Sequence, residues 1–327
     1  MEKEKNSIRI IGVDLLKILA MLMIVTSHAI NHGSILKSLE VGSYRYQFFS
    51  AWEVFVACAV NCYAIIGGFV GIKTEIKVKR IIKLWMEVLF YSVGITVIAF
   101  FIDKSNVSHT QIYNSFFPIM TERYWYITAY FGMMLLAPLF NHAINNIEKK
   151  KIKKIVIAMM LIFSVIFTIL KFFPISAYDA FKLNNGYSML WLCILYIIGA
   201  YFGKHVEVKK FKGYKMILGY VIMCAITVGF EFLFESIGLN NYSKILSRYT
   251  SPTILAAAIF LLLFFSNINI NRLKKFVVLM SNATLGVYLI HDNEIVRNNI
   301  VSKIFINYTG NSFIQLIIQT VLTILAI

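Results

Sequence analysis

IRIIGVDLLKILAMLMIVTSHAIN, residues 8–31, is an apolar run whose body is interrupted by three ionisable side chains, Asp14, Lys17 and His28. A helix rises about 1.5 Å per residue, so about 20 apolar residues cross a hydrocarbon core of about 30 Å, and the stretch predicts a membrane-spanning helix. At about 100° per residue, Asp14 and Lys17 lie within about 60° of each other and His28 returns to within about 40° of Asp14. All three share one stripe, with Met21 and Val25 between them. Ionisable groups inside a span are costly and face a bundle interior or a water-filled cavity. Two readings stand at this point. In the plainer one, Asp14 and Lys17 pair near the helix start and His28 is an interfacial histidine; in the other, the stripe is functional.

The spacing Asp14-x2-Lys17-x2-Ala20-x7-His28 resembles the first-helix motif of the membrane acyltransferase-3 family, multi-span O-acyltransferases acting on surface polysaccharides and related glycans. Lys17 stands where arginine is commoner in that motif. The charge is kept and the planar, bidentate fork is lost.

Composition agrees with a membrane protein. Hydrophobic residues make up 59% of the chain and the mean hydropathy is +0.72, outside the range of soluble globular domains. Period-2 alternation is absent, which favours helices over a barrel. The four cysteines, Cys58, Cys62, Cys193 and Cys224, fall inside predicted helices with no soft-metal cluster around them, and they read as buried thiols without a disulfide role. No metal ligand set is expected. The first helix is too long for a signal-peptide core and lacks a small-x-small cleavage site, so it is expected to remain as an anchor.

The expected fold is all-α: a single integral-membrane domain over residues 1–327, a polytopic bundle of about ten transmembrane helices. The predicted spans are 8–31, 50–72, 82–102, 123–146, 153–173, 187–203, 213–235, 250–267, 275–291 and 311–327. Basic residues alternate between the connections. The N-terminus carries Lys3, Lys5 and Arg9; Lys73, Lys77, Lys79, Arg80 and Lys83 follow the second span; further clusters follow the fourth, sixth and eighth, while each alternate connection holds only two. By the positive-inside rule the N-terminus is expected to be cytoplasmic in a multi-pass cell (plasma) membrane protein. The net charge of +16 is then a topology signal and an attraction to anionic lipid, so a nucleic-acid partner is not required.

Further motifs follow in order. Gly67, Gly68 and Gly71 read as close helix packing, and VNCYAIIGGFVGI resembles the family's second helix with its usual Ser-Gly pair replaced by Gly67-Gly68. Lys79, Arg80 and Lys83 enter the third helix, with Arg80 and Lys83 on one face; the cluster is either topological or a place for phosphates. YWYITAYFGMMLLAPLFN resembles the family's Trp-aromatic start and Pro-Leu-aromatic-Asn end. Trp125, Tyr126 and Tyr130 are either an interfacial belt or a platform for a sugar, Pro138 should kink the helix, and Asn141 is placed to hold the freed carbonyls. Glu231 and Glu235, one turn apart, are either an acid and base pair or a snorkelling or solvated rim pair. NNGYSMLWLCILYIIGAYFGK and the Gly-x-Tyr-Leu-x-His string ending at His291 also resemble the family, with His291 a capping or interfacial histidine on the side of His28, or a second proton carrier.

The resemblance implies a membrane-embedded O-acyltransferase, usually an O-acetyltransferase, with acetyl-CoA or another acyl-CoA as cytoplasmic co-substrate, no tightly bound cofactor, and a glycan hydroxyl as outer acceptor. It implies that His28 is the catalytic base or acyl carrier, that Arg80 with Lys79 and Lys83 clamps the donor phosphates, and that Asp14 and Lys17 support the first helix by neutralising each other. Asp14 is about 21 Å from His28 along the axis, too far for a dyad. Intramembrane charges also line the pathways of secondary transporters and flippases for glycans or lipid-linked precursors; the sequence shows neither an inverted repeat nor matched broken helices. A non-catalytic scaffold is a third class.

Overall fold

The computed structural model describes residues 9–75, 77–173, 179–270, 272–303 and 312–326. Lys3 and Lys5, and the outermost residues of the first and last predicted spans, lie outside them. The described residues are helical and contain no strand.

The long helices are α1 (Ile11–Asn31), α2 (Tyr44–Val56), α3 (Ala59–Gly71), α4 (Val78–Ile102), α5 (Trp125–Asn146), α6 (Lys149–Leu170), α7 (Met189–His205), α8 (Gly213–Ser236), α9 (Pro252–Phe265), α10 (Lys274–His291) and α11 (Phe313–Ala326). Among the described residues, six stretches are long and apolar enough to cross a membrane: Ile11–Ser38, Tyr44–Gly71, Val78–Ile102, Trp125–Asn146, Lys149–Leu170 and Gly213–Ser236. Helices α7, α9 and α11 are apolar and shorter. Each of the ten predicted segments thus contains a helix, and six have spanning length and composition.

Boundaries move where capping outweighs hydropathy. The second predicted span, 50–72, is a helix broken at Ala57 and Cys58 that starts at Tyr44, where the Ser43 side chain accepts from the Tyr46 amide at 3.2 Å. Helix α6 begins at Lys149, so the lysine cluster forms its first turns, and its middle, Leu161–Ile166, is a π-helical stretch.

Helix α3 is the centre of the bundle. It packs along α7 and also meets α1, α5 and α9, while α7 packs in turn against α5 and α6. Small residues allow this approach: a Cβ on Gly68 would meet the Tyr196 carbonyl oxygen at 1.9 Å, and one on Gly199 the Ile65 carbonyl oxygen at 2.0 Å. Inside the same pair, Asn61 donates to the Tyr249 carbonyl and accepts from the Trp191 indole. The outer helices α4, α6 and α8 instead expose large apolar side chains such as Phe90, Phe101 and Ile222. Water would penalise such a surface and lipid does not.

Two expectations are corrected here. Glu231 is fully buried rather than solvated at a rim: its carboxylate accepts from Lys244 Nζ at 2.6 Å, from Ser50 Oγ at 2.7 Å and from Ser247 Oγ. Its lone pairs are committed to structure, and Glu235 accepts from the Tyr46 hydroxyl. Asn141 does not hold a carbonyl freed by Pro138; it bridges helices, donating to the Gly71 carbonyl at 3.0 Å and accepting from the Tyr196 hydroxyl at 3.0 Å.

Candidate functional site

The polar stripe of α1 lines two cavities in succession. The first, about 460 Å³, is bounded by Lys17, Met21 and Ile24 of α1, by Arg80 and Lys83 of α4, and by Tyr63, Gly67 and Tyr130. The second, about 320 Å³, begins at the same Ile24 and continues through Ser27, His28, Asn31 and His32, closed by Glu53, Trp125, Tyr187, Tyr249, Asp292 and Arg297. Both fall in the range of roughly 300–1,000 Å³ typical of small-molecule sites. Their linings share three residues, Ile24, Tyr126 and Tyr288, which therefore form the wall between them.

At the first cavity, Asp14 anchors the start of α1. Its closest partner is Arg9, which places Nε at 2.6 Å and Nη2 at 3.1 Å on the two carboxylate oxygens; Ser281 Oγ donates at 2.9 Å, and Lys17 Nζ stands off at 3.6 Å. The expected pairing of Asp14 with Lys17 is present at 3.6 Å, with Arg9 as a second and closer partner. A bidentate guanidinium holds Asp14 more strongly than a distant ammonium, and Lys17 is left to face the cavity. Arg80 and Lys83 also line it, Lys83 with Glu87 at 3.5 Å; all three basic residues of the cluster are exposed, and Lys79 lies outside the lining. Gly67 opens on this cavity, where a Cβ would meet nothing nearer than 3.8 Å.

At the second cavity, His28 Nδ1 lies 3.0 Å from His291 Nε2, and His291 Nδ1 lies 2.7 Å from the Val287 carbonyl. A carbonyl oxygen only accepts, so His291 carries its proton on Nδ1 and offers a lone pair at Nε2. His28 must then donate from Nδ1, which leaves its Nε2 as the free lone pair of the neutral ring. Asp292 Oδ1 is 3.6 Å from His28 Nδ1 and 3.4 Å from Arg297 Nη1. His291 is buried rather than interfacial. The end of α10 that carries it is tied to the start of α5: the Tyr124 hydroxyl donates to the Leu289 carbonyl at 3.0 Å, and Asn293 Nδ2 donates to that hydroxyl at 2.7 Å.

Trp125 and Tyr126, expected at a belt or a platform, both line the second cavity. Trp125, Tyr187 and Tyr249 cluster there, with ring centroids 4.5 to 6.3 Å apart. Across from them Glu53 accepts from Ser27 Oγ at 2.7 Å, and its second carboxylate oxygen is buried without a partner. Sequence reasoning missed His32, Glu53, Tyr187, Tyr249, Tyr288, Asp292 and Arg297. The four-residue step from His28 to His32 was a signal, and so were the family-like strings that contain Tyr187 and Tyr288 and end beside Asp292; Glu53, Tyr249 and Arg297 left none. His28, His32 and Asp292 could offer a metal ion one atom each, all within 4.8 Å of one another, although His28 Nδ1 and Asp292 already face His291 and Arg297.

The model of the acyltransferase domain matches residues 10–327, nearly the whole chain. The chain belongs to the acyltransferase-3 family. With its spanning-length helices, it is a membrane acyltransferase. Comparison with curated proteins finds no match, and comparison with solved structures finds none. Within this acyltransferase-3 chain the first-helix spacing that carried the resemblance is the spacing that sets Lys17 on one cavity and His28 on the other.

Proposed function

We propose that this acyltransferase moves an acyl group, an acetyl group in the simplest case, from cytoplasmic acyl-CoA to a hydroxyl of a cell-surface or lipid-linked glycan. In this reading the chain is one domain crossing the plasma membrane about ten times, with its N-terminus in the cytoplasm. The observation that carries it is the pair of cavities in series along α1, a cationic one ending and an imidazole-bearing one beginning at the same thin wall. Coenzyme A carries a pyrophosphate and a ribose phosphate; Arg80, Lys83 and Lys17 are its counter-charges. The pantetheine arm extends toward Ile24 and delivers its thioester at the wall. A sugar ring stacks on the Trp125 cluster with Glu53 as a hydroxyl acceptor. His28 Nε2 takes the proton of the attacking hydroxyl, or first takes the acyl group itself. His291 is a positioning residue that fixes which nitrogen is free, and Asp292 faces the imidazolium as it forms.

The test is purified protein in liposomes with acetyl-CoA on one side. Release of free coenzyme A thiol together with an ester on the glycan supports the reading; glycan movement without thiol release replaces it with a transporter. The donor site has its own measurement. A charge-assisted hydrogen bond contributes about 1.5–3 kcal/mol, and about 1.4 kcal/mol is tenfold. Arg80→Ala should therefore raise KM for acetyl-CoA by about 10- to 100-fold with kcat little changed, while Lys79→Ala, outside the cavity, should leave KM within about twofold.

A further inference from the structure

The wall between the cavities contains one apolar side chain, Ile24, and two phenols, Tyr126 and Tyr288. The Tyr126 hydroxyl is buried and makes no hydrogen bond. A buried donor left unpaired costs about 1–3 kcal/mol. The neighbouring hydroxyls on the first cavity are committed: Tyr63 donates to the Lys17 carbonyl at 2.7 Å, Thr284 to the Ser281 carbonyl at 3.0 Å, and Ser281 to Asp14. Tyr288, also without a geometric hydrogen bond, has the Asp292 carboxylate beside it. Tyr126 stacks on Tyr130 and touches Tyr63, so its ring belongs to the donor side as well as to the wall.

Resting on the acyl-transfer reading, we infer that Tyr126 is a catalytic residue whose phenol hydroxyl binds the oxyanion of the tetrahedral intermediate. The thioester arrives from the Arg80 side and the base waits on the His28 side, so the carbonyl carbon must sit at the wall for attack. The acceptor oxygen forms its bond to that carbon while its proton goes to His28 Nε2, and the carbonyl π electrons move onto the oxygen, where the Tyr126 O–H meets them. Collapse restores the carbonyl and breaks the C–S bond, and the departing thiolate takes the proton back from the His28 imidazolium. Atoms and charge balance without another reactant. The unpaired donor is what a site prepared for a charge that exists only in the transition state looks like at rest.

Tyr126→Phe keeps the ring and removes only the hydroxyl. In membrane vesicles from the source cells, which supply the acceptor, turnover of acetyl-CoA per enzyme molecule should fall about 10²- to 10³-fold, with KM for acetyl-CoA within about threefold. The melting temperature should be unchanged or higher, because an unsatisfied donor has been removed; a structural tyrosine would lower it. Turnover within threefold of wild type, or a loss of turnover that follows a lowered melting temperature, overturns the inference. His28→Ala is run beside it. An active Tyr126→Phe with an inactive His28→Ala sinks this inference alone, whereas wild-type protein that neither binds acetyl-CoA nor releases thiol sinks the acyl-transfer reading and this inference with it.

Discussion

His28→Ala should lower kcat for acyl transfer by about 10²- to 10⁴-fold, the contribution of a positioned general base, while the protein still inserts and folds. The free lone pair at Nε2 exists because the Val287 carbonyl sets the proton on His291 and His291 in turn sets the proton on His28. Alanine removes that nitrogen and nothing on the cavity replaces it, since His32 stands at 4.8 Å ring to ring, one turn further along α1. The substitution also leaves the buried His291 Nε2 without its partner across α1 and α10, which costs about 1–3 kcal/mol and lowers the melting temperature without unfolding the bundle. Binding of acetyl-CoA, which the proposed function places at the far end of the stripe, should survive. The assay is thiol release against acetyl-CoA binding and thermal melting on the same preparation. Turnover at the wild-type rate would remove His28 from the mechanism.

Gly68→Ala should be among the most damaging small substitutions in the bundle. A methyl group there would lie 1.9 Å from the Tyr196 carbonyl oxygen and 2.8 Å from the Ala200 amide nitrogen. Both are backbone atoms of α7, so no rotamer change relieves the clash, and the two central helices must separate. Overpacking of a dense core typically costs about 1–3 kcal/mol, and more where the backbone has to yield. Gly199→Ala attacks the same seam from the other side, through the Ile65 carbonyl. Gly67→Ser is the counterpart one residue away: its Cβ enters the first cavity and should change stability by no more than about 0.5 kcal/mol. Thermal melts of the detergent-solubilised protein decide between them. Equal effects at positions 67 and 68 would mean that the glycines serve helix formation alone and not the approach of α3 to α7.

Much of this architecture could be read from the chain. Apolar runs of spanning length are a strong signal because a bilayer admits few alternatives to a helix, and a stripe of Lys17 and His28 on one face follows from helical periodicity alone. What escaped was anything decided between distant segments. Arg9 was counted as a loop charge, and only the fold brings it, with Ser281, onto Asp14. Glu231 and Glu235 are one turn apart and looked like a pair; the buried one is instead matched to Lys244 and Ser50 from other elements. The lining of the second cavity by Glu53, Tyr187, Tyr249 and Asp292 comes from four separate stretches, and no local pattern brings them together. The start of α2 was missed for a different reason: a serine cap outweighs the polar residues that follow it.

The wall of Ile24, Tyr126 and Tyr288 has an electrical consequence. In the proposed reading the two cavities open to opposite faces of the membrane, so the voltage would drop chiefly over these three side chains. Carrying one elementary charge through 100 mV takes about 2.3 kcal/mol. On that reading the donor's phosphates stay on the arginine side and only a neutral acyl group passes the partition, so acylation would proceed at any resting voltage without discharging ion gradients.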